Sequence, residues 1–287
     1  MECYAMSMRA VLVLVVLALF GVTATGVARA DEVAPELEGA DLRAKAQAEL
    51  KKLVSGLPSN DQRRLVGIYV AFDPSVSDPV AQVACDDDGD YVVLLSDAML
   101  RLVAHVARAE SYDEANGSRK VEEYAGFLVR SQIPGRRLLP PPPGFYIAEK
   151  PAETYDERLS DALSFVIARE LTHFRAGDLV CPKPTATKES GDDTWTSAEQ
   201  RKASEVADKV YPGRQMERDN EAIVRVLDAG RSARGALALL RFFTQFEAER
   251  LIAVGRFSPG YLAQHPSAAM RSASLQRTID DYKKSSE

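Results

Sequence analysis

Arg169-Glu170-Leu171-Thr172-His173 is the stretch of this chain whose residue types and spacing come nearest to chemistry. A helix carrying His-Glu-x-x-His presents two imidazoles to a zinc ion and a carboxylate to the water that the metal activates. Glu170 and His173 stand at that spacing, and Arg169 takes the place of the first imidazole. At about 100° per residue, Arg169 and His173 fall within one turn, with Glu170 at the border of their face. A guanidinium has no lone pair to offer a metal, so this one substitution decides whether the chemistry survives. Neither a Gly-x-Ser-x-Gly elbow nor a Gly-x-x-x-x-Gly-Lys phosphate loop offers a competing site.

The element that must position these groups is a helix from Asp156 to Ala176. Leu163, Ile167, Leu171 and Phe174 follow the 3.6-residue period, which predicts a central, mostly buried helix. Before it, Leu42, Ala46, Leu50, Leu53 and Val54 predict an amphipathic helix over Ala40 to Ser55. Leu65 to Phe72, Ala81 to Cys85 and Tyr91 to Leu95 read as three strands of a small meander. The acidic turn between the last two lacks the glycine and the terminal glutamate of a calcium loop and reads as a solvated turn. Ser96 caps a helix to Arg108 on which His105 has no ligand types nearby, so packing is its expected role. Ser111 to Thr154 is less regular, with a short amphipathic piece, Val121 to Val129, and an extended Pro140 to Pro143 run. That run is either the border of a cleft or a long connection.

Past Asp178, a loop to Thr196 leads to expected helices at Ser197 to Val210, Arg214 to Ala229 with Gly230 as cap, Ala236 to Val254, and Ser267 to Lys283. The fold class is therefore α+β, mainly helical with a small sheet.

With 287 residues, a net charge of -6 and a pI near 5.3, the chain has length for one sizeable core and no broad basic field, which argues against nucleic acid as a partner. Arg9, the apolar run Ala10 to Val22 and Ala28-Arg29-Ala30 make an export signal, so the mature chain is expected to begin near Asp31 in the periplasm or outside the cell. Apolar and small residues continue from Ala10 to Ala28, about long enough for an uncleaved anchor, the one route to a membrane association. Export leaves Cys85 and Cys181 in an oxidising compartment, where they either pair or stay as two separate buried thiols. The expected division is 1–30 as signal peptide, 31–64 as a helical segment and 65–287 as the main domain.

From about Val70 to Leu275 the chain resembles the gluzincin metalloendopeptidase family of the CAAX prenyl protease and HtpX, in its soluble periplasmic BepA-like branch. Glu157 to His173 resembles the zinc helix, and Gln215-Met216-Glu217-Arg218-Asp219 the family's Glu-x-x-Ala-Asp helix. His265-Pro266 with Arg271 and Leu275 resembles its late His-Pro-x-x-x-x-Arg-x-x-x-Leu element. The strand and turn before Tyr91-Val92-Val93-Leu94 resemble the sheet edge against which substrate peptide is laid. The resemblance implies a metallopeptidase-like domain with the sheet beside the motif helix, and it places the zinc ligands at Arg169, His173 and Gln215.

One of those three can bind zinc. The residues thus imply a pseudopeptidase without a cofactor, with Glu170 a vestigial base, that binds protein or peptide segments as a scaffold, chaperone-like or regulatory factor. Arg169, Gln215, Asp219 and His265 make up its vestigial site. Arg169 is expected to pair with Asp219 or Glu170 and donate to the Gln215 carbonyl, replacing the metal electrostatically. Glu217, about 200° around its helix from Gln215, is expected to face away. The alternative is an active zinc endopeptidase in which His173, Asp219 and His265 hold the metal and Glu170 is the general base.

Overall fold

The computed structural model describes residues 39–74, 78–86, 88–133, 135–146, 153–179, 181, 212–254 and 267–286. The segment expected to direct export, the helix expected over Ser197 to Val210, and His265-Pro266 lie outside them. Among the described residues there are eight α-helices and three strands. In chain order they are α1 (Gly39–Ser55), α2 (Ser59–Arg64), β1 (Tyr69–Asp73), β2 (Ala81–Cys85), β3 (Tyr91–Ser96), α3 (Asp97–Asn116), α4 (Lys120–Ser131), α5 (Tyr155–Arg175), α6 (Pro212–Asp228), α7 (Arg234–Val254) and α8 (Ala268–Ser286). The chain is mainly helical with one small sheet, an α+β arrangement.

α5 sits at the centre, packed by α1, α3, α6 and α7 and touching β2 and β3. Its apolar residues Leu159, Leu163, Ile167, Leu171 and Phe174 join those of α1 (Leu42, Ala46, Leu50, Leu53) in one continuous core. The segment before residue 65 thus shares its core with the rest. α7 begins by crossing α5 at backbone contact. A Cβ on Gly235 would lie 2.3 Å from the Ala162 nitrogen and 2.7 Å from the Asp161 carbonyl carbon.

The sheet differs from the expected meander. Its order is β1-β3-β2, with β3 parallel to β1 and antiparallel to β2. β3 carries the most apolar run, with Val92, Val93 and Leu95 buried, and the central place gives it neighbours on both edges. The acidic turn joins β2 to β3 directly and makes them antiparallel. Asp86 Oδ1 accepts the Asp88 and Asp90 N–H groups at 3.1 and 2.8 Å, so this oxygen is committed within the turn, while Tyr69 Oη of β1 lies 3.4 Å from Oδ2. β1 starts later than Leu65, because α2 and a turn through Gly67, at φ 90°, occupy the preceding residues. Its exposed side is covered by α1, where Gln47 Oε1 accepts the Val70 N–H at 3.0 Å.

α3 continues past Arg108 to Asn116, closed by Gly117 in the left-handed region at φ 65°. Asp113 near its end accepts from Ser118 Oγ and from the Lys120 and Val121 N–H groups, so it also caps α4. That double use orders a stretch whose sequence reads as irregular. The Pro140 to Pro143 run lies against α4, where Tyr124 Oη donates to the Leu139 carbonyl at 2.7 Å. His105 is buried and meets the Tyr124 ring edge-on at 5.4 Å, a packing role.

Cys85 and Cys181 form a disulfide across a sequence separation of 96, with their Cα atoms 5.5 Å apart. In the chain-entropy model, closing a loop of this length stabilises the fold by about 4.7 kcal/mol.

Candidate functional site

Every residue of α5 from Arg158 to Phe174 is buried, polar ones included. Burial without a partner would cost each polar group on the order of 1–3 kcal/mol, so their bonds define the architecture. Asp161 accepts from Arg158 Nη1 at 2.8 Å and from the Ser232 N–H at 2.9 Å. Ser164 Oγ donates to Glu49 Oε2 at 2.8 Å, and Arg231 clamps the same carboxylate. These contacts set α5 against α1 and the loop before α7. One turn further on lies the candidate site.

The Arg169 side chain turns toward α6. Its Nε donates to Asp219 Oδ1 at 3.2 Å, its Nη1 to Glu170 Oε1 at 2.8 Å, and its Nη2 to Gln215 Oε1. Gln215 and Asp219 are four residues apart, hence on one face of α6, and both are buried. Glu217 lies between them and is exposed. Arg271 of α8 completes the cluster. Its Nε donates to Asp219 Oδ2 at 2.6 Å and its Nη2 to Asp219 Oδ1 at 3.0 Å. Asp219 is 0%, Arg271 4% and Arg169 6% exposed, so their charges oppose each other out of water.

His173, one turn along α5 from Arg169, enters a second chain of bonds. Its Nδ1 faces Asp178 Oδ2 at 3.0 Å, and Arg218 of α6 donates to the same carboxylate from Nε at 2.9 Å and Nη2 at 3.3 Å. The end of α5 explains the geometry. The Gly177 N–H bonds the Phe174 carbonyl, the Asp178 N–H bonds the His173 carbonyl, and Gly177 has φ 72°, which together form a Schellman close. That motif brings the residue after the glycine beside the one five before it, a contact usually apolar. Here it joins Asp178 to His173. Burial alone would raise the Asp178 pKa. The hydrogen bonds from Arg218 and then His173 outweigh it and hold the carboxyl below its ordinary value.

The donor set does not suit zinc. Arg169 occupies the space in front of Asp219, Glu170 and Gln215, and Asp219 accepts three bonds from two guanidiniums, which leaves its oxygens committed. Among the described residues, no three of His, Cys, Asp or Glu are grouped to hold a metal ion. Of the expected site residues, Arg169, Glu170, Gln215 and Asp219 converge, His173 lies in the adjoining network, and His265 is outside the described residues.

Three participants escaped the sequence reading. Arg271 had a motif position without a role, and its signal was its spacing four residues before Leu275 on α8. Asp178 was signalled by the Gly-Asp that ends the helix. Arg218 precedes Asp219 and had no separate signal.

Beside the cluster runs a narrow cleft. Phe165 and Val166 of α5, Leu239, Leu240 and Phe243 of α7 wall it, and Arg169, Glu170 and Arg271 form its polar part. Ala81, the first residue of the outer strand β2, also lines it. No protein-family model, no curated protein and no solved structure matches this chain.

Proposed function

We propose that this chain is an exported protein of metallopeptidase-type, gluzincin-like fold whose zinc site has degenerated, and that it binds protein segments without cleaving them. Its role is that of a scaffold, a chaperone-like factor or a regulator, in the periplasm or outside the cell. The observation that carries the reading is Arg169, whose one guanidinium bonds Asp219, Glu170 and Gln215 together. Those are the places where the resemblance puts a metal's carboxylate surroundings, its general base and one of its ligands.

A fixed positive charge can balance buried carboxylates as a metal would, and it cannot polarise a carbonyl or acidify a water as zinc does. Glu170, bonded to Arg169, is then a structural carboxylate. The apolar residues beside the cluster and the outer strand β2, whose first residue lines the same cleft, support reading this face as one that meets protein segments.

Metal analysis of the purified mature chain, combined with a digestion assay on unfolded protein, tests the reading. The expected result is no stoichiometric zinc, no cleavage above background, and retention of unfolded protein. Stoichiometric zinc together with cleavage abolished by Glu170→Gln would replace it with an active zinc endopeptidase.

A further inference from the structure

The Cys85–Cys181 bond lies close to the candidate site along the chain. Cys181 comes three residues after Asp178, whose carboxylate joins His173 of α5 to Arg218 of α6. Cys85 is the last residue of β2 and pairs with Tyr91 of β3. The Tyr91 ring in turn meets Phe174 of α5 edge-on at 4.1 Å. The chain therefore leaves α5, turns at Gly177, presents Asp178 to two helices, buries Leu179 and is tied to the sheet. The polar contacts beside the tie are long: the Cys181 N–H meets Tyr91 Oη at 3.4 Å, and the Cys181 sulfur lies 4.0 and 3.9 Å from the Ala84 and Asp90 carbonyl oxygens.

We propose that the Cys85–Cys181 disulfide is a redox-sensitive clasp that holds the Asp178 carboxylate between His173 and Arg218, so that its reduction by a dithiol frees the end of α5 and undoes that bridge to α6. In the reaction one thiolate of the dithiol attacks a sulfur of the bond and gives a mixed disulfide. Its second thiolate then displaces the remaining cysteine. Two electrons and two protons pass from the dithiol to the pair, which ends as two thiols while the dithiol ends as a disulfide. The Schellman turn alone does not replace the tie, because its two backbone bonds reach no further along the chain than Asp178. The coupling stands whether or not Arg169 occupies a former metal site.

The test is hydrogen exchange on the folded full mature chain, oxidised and after dithiothreitol, with alkylation verifying that both thiols are released. The clasp predicts at least tenfold faster exchange at 174–179 and around Arg218 in the reduced chain, while α4 and the amides of α3 stay protected. Asp178→Asn in the oxidised chain should reproduce the loosening around Arg218 with the disulfide intact. Unchanged exchange at 174–179 after complete alkylation, or an increase spread evenly over the molecule, would overturn the proposal. A Cys85→Ala, Cys181→Ala chain gives the same comparison without reductant, and its exchange is expected to match that of the reduced chain.

Discussion

Arg271 of α8 binds Asp219 of α6 through both carboxylate oxygens, at 2.6 and 3.0 Å, while Arg169 takes a further bond to one of them. A single buried carboxylate thus joins three helices that are distant in sequence. Glu170 accepts from Arg169 Nη1 at 2.8 Å in the same cluster.

The two carboxylates should therefore differ in what their loss costs. Asp219→Asn keeps the shape and leaves two buried guanidiniums short of a counter-charge, an effect of about 3–5 kcal/mol. Glu170→Gln removes one charge-assisted bond, a loss of roughly 1–3 kcal/mol. Denaturant unfolding of both variants checks the order. Equal losses, or a larger loss at Glu170, would show that Asp219 is not the hub.

Gly235 is required by space. Its φ is not in the left-handed region; the constraint is that a Cβ would meet the backbone of α5 at Ala162 and Asp161, which cannot swing aside. Gly235→Ala should cost on the order of 3 kcal/mol by forcing α7 off α5. In a chain of this size that corresponds to a melting temperature lower by roughly 5–10 °C. A melting curve unchanged by the substitution would mean the two helices do not cross this closely.

These two relationships show what the sequence made readable. α5 has strong apolar periodicity and a glycine close, and α6 ends at Gly230, so both helices and the sharing of one face by Gln215 and Asp219 could be read from spacing. Arg169 in place of an imidazole, with Gln215 in place of a carboxylate, read as a matched pair of changes, and their side chains do meet. The meeting of Arg271 with Asp219 is a tertiary contact across 52 positions, and local pattern carries no term for it. The strand order was hidden for a similar reason. Short apolar strands look alike, and the pairing of β1 with β3 depends on which strand is buried on both edges. α3 runs past its pattern to Gly117, which closes it, and the Asp113 carboxylate near its end starts α4.

His105 should make the fold sensitive to mild acid. Burial, and then the charges of Arg101 and Arg108, lower its pKa from 6.5 to about 4. The folded state thus holds the neutral ring, and its contribution is fully present above pH 6.5 and is lost as pH falls toward 4. The sum over that window is roughly 3 kcal/mol at about 1.4 kcal/mol per pH unit. Unfolding free energies measured from pH 7 down to 4 should fall with this slope in the natural chain and fall less in His105→Phe. Parallel slopes for the two proteins would assign the acid sensitivity elsewhere.

The central claim is that Arg169 stands where a metal would, and a zinc titration of the double variant Arg169→His, Gln215→Glu tests it most directly. With His173 and Glu170 untouched, the variant restores the two lost ligands on the faces of α5 and α6 that already meet. Calorimetry should show the double variant binding one equivalent of zinc while the natural chain binds none, with each single substitution much weaker than the pair. A folded double variant that ignores zinc, or a natural chain that takes up one equivalent, would contradict the account.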